Sequence, residues 1–239
     1  MLLHAIDTGE GDRTAVLLHG LMGSAESWRR VVPLLVDRGY RVLSLDLPGH
    51  GLSPRDPLLT IDRAASAVAE TIALLAPGRP IDAIGHSYGA TVLAAAAERL
   101  TPALAVYVDA SLALAGGADR AALTAAYEKD RLTRMSPAAL RAGRPFYTAE
   151  DAEVEARAAG RFDPATSASI SCGPDQSWDA APGSIVLRAD PSAWVTDDDA
   201  RRFEESGAEV RSIPGAAHTV WYSSFTDFTG ALPEMFGAA

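Results

Sequence analysis

Sulfur, lysine and long apolar runs are what this chain has least of. Cys172 is its one cysteine in 239 residues, so no intrachain disulfide can form and the fold must rest on its core. Lys129 is its one lysine, and arginine supplies the remaining positive charge. Acidic residues outnumber basic ones 31 to 21, for a formal net charge of −10. That excess argues against a polyanionic partner, whether nucleic acid or an anionic membrane surface. No apolar stretch reaches the roughly 20 residues that span a bilayer. Met1-Leu-Leu-His-Ala-Ile-Asp also lacks the basic start, long apolar segment and cleavage site of a secretory leader. A cytoplasmic protein, monomeric or weakly homodimeric, is the expectation. No His/Asp cluster falls at ligand spacing and no phosphate-cradling glycine loop carries a lysine, so neither a metal nor a cofactor is expected.

What is present is a chain that is 48% apolar and long enough to bury one full core. Short β-like runs alternate with helical stretches, which predicts an α/β fold with a mainly parallel, doubly wound sheet of about seven strands. Strands are expected near 2–7, 14–19, 40–45, 80–84, 104–109, 184–189 and 208–213. Helices are expected near 26–38, 60–75, 88–100, 198–206 and 223–236. Most strand runs are apolar on both faces, as helices on both sides of a sheet require. Between Ser111 and about Pro182 the alternation stops. Helical stretches near 118–131, 136–142, 149–160 and 164–170 take over.

The most informative segment is Ile81-Asp-Ala-Ile-Gly-His-Ser-Tyr-Gly89, an apolar run ending in Gly85-x-Ser87-x-Gly89 before an alanine-rich helix. A strand, a sharp turn and a helix lift the Ser87 hydroxyl out of the sheet. The glycines two residues away let strand and helix pass closely. The helix also directs its free N–H groups and positive dipole end at the serine. Three further strand ends carry distinctive turns. Thr14-Ala-Val-Leu-Leu-His19-Gly20-Leu-Met-Gly23 ends in a His-Gly turn. Tyr40-Arg-Val-Leu-Ser-Leu-Asp46-Leu-Pro48-Gly49-His50-Gly51 ends in a Pro-Gly turn. Glu209-Val-Arg-Ser-Ile-Pro-Gly215-Ala-Ala-His218 ends in a small-residue loop bearing a histidine.

Together, and in this order, the four segments resemble the α/β-hydrolase superfamily over residues 2 to 237, in its serine esterase branch. The resemblance implies Ser87 as nucleophile, with His218 as general base on the loop after the last strand. It implies an oxyanion hole built from the backbone N–H groups of Leu21 and Tyr88. Serine at the elbow departs from epoxide hydrolases and haloalkane dehalogenases, which need aspartate there. The short His-Gly-Leu loop resembles that of enzymes favouring ordinary esters over bulky tertiary alcohols.

The acid of the triad follows the strand at 184–189 in the usual pattern, and Asp190 is the best match. Alanine replaces the glycine that normally ends that strand, and Pro191 holds the position two further on. Asp109, at the end of Ala103-Leu-Ala-Val-Tyr-Val-Asp, is the rival, because some branches place their acid there. Asp197 to Asp199 suit a helix N-terminus, and Asp46 suits a turn that bonds backbone N–H groups.

Residues 111–182 lie where the family inserts a lid after its sixth strand. They are expected as a small helical cap over a core formed by 1–110 and 183–239, the alternative being helices that merely pad the sheet. Met22, His86, Phe146, Tyr147, Trp194 and Trp221 are the candidate pocket residues. Trp178 is a further cap aromatic expected to face the pocket, and core packing is the alternative for Trp194 and Trp221. His19 and His50 read as braces of their turns. The implied reaction is hydrolysis of a small, apolar carboxylic ester or lactone through a Ser87 acyl-enzyme. Thioesterase, amidase, carbon–carbon hydrolase, perhydrolase or acyltransferase chemistry on the same residues stays open, as does a non-catalytic binding relative.

Overall fold

In the computed structural model, which describes residues 1–237, the apolar runs become strands in nearly the expected places. They are β1 (Ala5–Thr8), β2 (Arg13–Leu18), β3 (Tyr40–Leu45), β4 (Ile81–His86), β5 (Leu104–Val108), β6 (Ala113–Leu114), β7 (Gln176–Ser177), β8 (Ile185–Asp190) and β9 (Glu209–Pro214). Seven of them form one sheet in the order β1-β3-β2-β4-β5-β8-β9. β1 runs antiparallel to β3, and the remaining neighbours are parallel. The expected mainly parallel, doubly wound sheet of seven strands is therefore the architecture found.

The helices are α1 (Val32–Asp37), α2 (Ile61–Leu75), α3 (Tyr88–Leu100), α4 (Arg120–Arg134), α5 (Pro137–Gly143), α6 (Ala149–Arg161), α7 (Pro164–Ile170), α8 (Asp197–Glu205), α9 (Val220–Ser223), α10 (Phe225–Gly230) and α11 (Pro233–Phe236). Alternation along each strand sorts side chains into two cores. Val16 and Leu18 of β2 join Ile61, Val68, Leu93 and Phe203 from α2, α3 and α8. Ala15 and Leu17 join Leu35, Trp28, Trp221 and Phe228 on the other face. Burial on both faces explains why these strands read as continuous apolar runs.

Two expected helices are broken, and each break has a local cause. The stretch 26–38 becomes a 3₁₀ turn at Ala25–Trp28 followed by α1, whose first turn contains Pro33. Proline tolerates that position because it has no N–H to give an earlier turn. The stretch 223–236 becomes α9, α10 and α11, separated at Ser224 (φ −142°) and restarted at Pro233. The first strand begins at Ala5, because Leu3 turns its N–H to the Thr71 hydroxyl at 3.0 Å. As expected, the acidic run Asp197 to Asp199 serves the helix start, forming the first turn of α8: Thr196 caps it and Asp199 completes the reciprocal capping pair.

The segment 111–182 leaves the sheet after β5 and returns to it at β8. The antiparallel pair β6–β7 ties the outgoing and incoming strands together. Its helices are fastened to the loops beside the site. The Thr166 hydroxyl accepts from Asp56 N–H at 3.1 Å, and Ser169 donates to the Leu59 carbonyl at 2.9 Å. Glu26 pairs with Arg157 at 2.6 Å and Arg161 at 3.2 Å. The buried Asp151 pairs with both Arg29 and Arg30. Charge-assisted bonds of this kind hold α6 against the first turn after β2.

A second polar network braces the turns at the strand ends. The Asp46 carboxylate accepts from Ala25 N–H at 2.7 Å, Leu52 N–H at 2.9 Å and His4 Nδ1 at 2.8 Å. It fills the space beside Gly51, where an added Cβ would fall 2.1 Å from its Oδ2. His19 donates from Nδ1 to the Gly20 carbonyl at 2.8 Å and accepts at Nε2 from Leu47 N–H at 3.0 Å. A ring nitrogen that accepts from a backbone N–H must be unprotonated, so this histidine is neutral. His50 donates from Nδ1 to the Pro48 carbonyl at 3.0 Å. Burial lowers the pKa of both rings, that of His50 to about 3.

Two expectations for stability follow from these networks. Asp151→Ala leaves Arg29 and Arg30 without their shared carboxylate, and the urea midpoint should fall by an amount equal to about 3 kcal/mol. That is the low end for breaking a buried pair, because the two arginines keep 23% and 21% of their side-chain surface in water. Acid should destabilise the fold early. Between pH 6.5 and 3 the unfolded chain binds a proton at His50 that the folded chain refuses. Stability is therefore lost as pH falls below the ordinary histidine value, by about 2 kcal/mol at pH 5 for that residue. Denaturation at pH 7 and pH 5 should show a smaller gap in His50→Asn than in the parent.

Candidate active site

Ser87 stands between β4 and α3 with φ +51° and ψ −118°, a left-handed conformation that a serine adopts only under constraint. The constraint is backbone against backbone. A Cβ on Gly85 would sit 2.5 Å from the Gly89 carbonyl oxygen, and one on Gly89 would sit 2.4 Å from the Leu18 carbonyl oxygen. Only glycine lets α3 leave β4 this tightly while passing over the end of β2. Gly20 brings the His-Gly loop equally close, since a Cβ there would meet the Ser87 Cβ at 3.3 Å. The N–H groups of Leu21 and Tyr88 have no acceptor among the described residues. Both residues border the cavity that Ser87 faces.

His218 follows β9 and α9 follows it. Its Nδ1 donates to Asp109 Oδ2 at 2.7 Å, which leaves the Nε2 lone pair of the neutral ring free. Asp109 ends β5 with φ +48° and is 1% exposed. Its other oxygen accepts from Ala189 N–H at 3.1 Å and from the Ser192 hydroxyl at 2.7 Å. Three donors thus fix this carboxylate in the orientation that receives the imidazole. The expectation of Asp190 as the partner of His218 is corrected here. Asp190 is exposed at the last position of β8, paired in register with Pro214. The buried residue there is Ala189, whose N–H serves Asp109, so β8 contributes to the acid without supplying it.

Ser87, His218 and Asp109 line one cavity of about 660 Å³. Among the described residues no hydrogen bond joins the Ser87 hydroxyl to His218, a looseness common before substrate tightens the site. His86 is buried beside them and donates from Nε2 to the His218 carbonyl at 2.9 Å. Burial, then the neighbouring His218 ring, lowers its pKa well below the ordinary value. Its ring meets Trp221 edge-on at 4.9 Å.

The expected pocket residues divide. Leu21, His86, Phe146 and Trp194 line the cavity, and Trp194 is 52% exposed with its ring 4.9 Å from that of His218. Met22, Tyr147 and Trp221 do not. Met22 is buried at a positive φ of 64° in the turn after Gly20. Tyr147 packs edge-on against Phe146 and Tyr222, and Trp221 stacks on Trp28 at 4.2 Å. These are core positions, where large rings bury most surface. Trp178 borders a separate surface depression with Asp62 and Arg99. The cavity also takes residues that pattern reading passed over, chiefly Ile61, Tyr127, Arg134, Arg144 and Ser167. Tyr127 and Arg134 lie on α4, a helix with no fully buried residue, so nothing in its own periodicity marks them.

Comparison with known proteins agrees with this architecture. The chain is 39% identical over 93 residues to the sn-1-specific diacylglycerol lipase ABHD11 of Danio rerio, covering 38% of this chain and 29% of that protein. It is 34% identical over 106 residues to Esterase PIR7B of Oryza sativa subsp. japonica, covering 42% and 40% respectively. The matched stretches thus span well under half of those relatives' own lengths. The solved esterase EaEST from Exiguobacterium antarcticum superposes with a TM-score of 0.77 at 16% identity, over 99% of this chain and 96% of that one. The alpha/beta hydrolase family matches residues 15–229, and the chain belongs to that family.

Proposed function

We propose that this protein is a serine hydrolase that cleaves small carboxylic esters or lactones through an acyl-enzyme on Ser87. The observation that carries the reading is the 2.7 Å bond from His218 to Asp109 on the wall of the cavity that Ser87 faces. A serine hydroxyl is too weak an acid to attack unaided near neutral pH and needs an adjacent base. His218 Nε2 takes the hydroxyl proton as Ser87 Oγ attacks the ester carbonyl, and Asp109 stabilises the imidazolium that forms. The carbonyl oxygen becomes an oxyanion facing the Leu21 and Tyr88 N–H groups, a donor pair of the kind worth about 3–4 kcal/mol per member. Imidazolium returns its proton to the leaving alkoxide, which departs as alcohol. Water then repeats the sequence on the acyl-enzyme, giving the acid and free Ser87.

The helices of residues 111–182 act in this reading as a cap on the catalytic core formed by 1–110 and 183–239. A cavity of about 660 Å³ suits a small molecule. The esterase and lipase names of the relatives fit an ester-cleaving activity.

Ser87→Ala should abolish hydrolysis of p-nitrophenyl butyrate and labelling by a fluorophosphonate probe. Asp109→Asn should lower kcat about 10⁴-fold, whereas Asp190→Asn should stay within about threefold of the parent, as exposed substitutions usually do. Steady-state kinetics of the three variants checks this. Collapse in Asp190→Asn with activity kept in Asp109→Asn would reverse the assignment of the acid.

A further inference from the structure

The cavity carries a positive charge that ester cleavage does not use. Arg134, the last residue of α4, and Arg144, just past α5, both line it. The carboxylate beside them is Glu155, buried on α6. Its Oε2 lies 3.9 Å from Arg134, beyond hydrogen-bond length, and its Oε1 accepts from the Tyr222 hydroxyl at 3.0 Å. Arg144 has no carboxylate partner among the described residues and stands 5.8 Å from the Tyr147 ring. Beside Arg134 and Arg144 two guanidinium groups thus face one carboxylate, whose pKa burial raises. Asp109 carries its negative charge on the His218 side of the cavity, where its oxygens accept from His218, Ala189 and Ser192 and pair with neither arginine.

Unsatisfied donors accompany the charge. Arg134 Nε is buried without a partner, and no donor of this guanidinium has a hydrogen bond among the described residues. The Ser167 hydroxyl, on a residue 2% exposed, and the Tyr88 hydroxyl are likewise buried, unpartnered and part of the cavity lining. Buried polar groups are ordinarily satisfied, and three that share one cavity imply acceptors brought from outside. A protein of net charge −10 that keeps an unpaired cation in its reaction cavity has an anion to receive there.

We propose that the substrate carries a carboxylate, bound by Arg134 with Arg144 beside it, while its ester carbonyl lies over Ser87. This rests on the serine hydrolase reading and narrows its substrates to half-esters of dicarboxylic acids and their analogues. A planar guanidinium fork matches a carboxylate in two parallel bonds. The rest of the wall, with Leu21, Ile61, Phe146 and Ile170, suits the methylene chain between the two ends.

The test compares p-nitrophenyl hemiadipate with its neutral counterpart p-nitrophenyl hexanoate and with a phosphate-terminated ester of equal length. The parent should favour hemiadipate in kcat/KM by about tenfold or more, expressed in KM. Arg134→Gln should lower the ratio of hemiadipate to hexanoate about 10–100-fold, the span for bonds to a charged group. The double variant R134Q/E155Q should do the same while keeping the buried charges balanced, so a folding defect is not mistaken for lost recognition. Monomethyl adipate titrated by calorimetry into Ser87→Ala should bind, and bind about 10–100-fold more weakly when Arg134→Gln is added. A parent ratio near one, an unchanged ratio in the folded double variant, or preference for the phosphate ester would overturn the carboxylate site. Absence of turnover on every ester with Arg134-dependent binding of monomethyl adipate would instead sink the hydrolase reading and leave the anion site standing.

Discussion

The close crossing of backbone at the elbow is the constraint on which the site depends. α3 leaves β4 within contact of the end of β2, with no room for a Cβ at Gly85 or Gly89. That crossing forces Ser87 to φ +51°. It also brings the start of α3 and the turn after His19 to the wall of the cavity that Ser87 faces. The proposed nucleophile and oxyanion donors are therefore one geometric object. A side chain at either glycine would separate strand from helix and disperse all of them together.

The proposed acid is assembled differently, from the ends of three strands. Asp109 follows β5, while β8 and the turn after it supply two of its donors through Ala189 and Ser192, and the loop after β9 brings the imidazole. This explains why the elbow was legible in the sequence and the acid was not. Gly85-x-Ser87-x-Gly89 is local, and its spacing carries the steric requirement directly. The choice between Asp109 and Asp190 turns on which strand-end side chain points into the cavity. Both end apolar runs, and the family pattern favours the position after β8. The informative signal was adjacency: β5 lies next to β4 in the sheet, so an acid at its end starts close to the serine.

The pocket shows the same division between local and distant causes. Strands and long helices were readable because alternation and amphipathic periodicity are set within a few residues. Tyr147 is a candidate for the cavity wall because it is an aromatic of the cap, and Trp221, near the base loop, suits either wall or core. The packing of α6, α9 and α10 decides for the core, stacking Trp221 on Trp28 and turning Tyr147 toward Tyr222. Arg134 carries no such signal for the opposite reason, since an arginine at a helix C-terminus is ordinarily a solvated complement to the dipole.

The five histidines show how environment distributes one side chain among different tasks. His4 pairs with Asp46 at the sheet edge, and His19 and His50 are kept neutral by burial and serve as hinges of hydrogen bonding beneath the loops. His86 is also held neutral, and its Nε2–H is spent on the His218 carbonyl. That bond ties the residue before the nucleophile to the backbone of the proposed base. His4 and His218 both combine a carboxylate on Nδ1 with a side chain about one-third exposed, and of the two only His218 lines the cavity that Ser87 faces. A ring that must gain and lose a proton needs both a charge to stabilise the cation and a route to the reacting oxygen. His19, His50 and His86 are buried and bond backbone carbonyls instead of carboxylates, so the proposed proton transfer falls to His218 while they keep the loops in register.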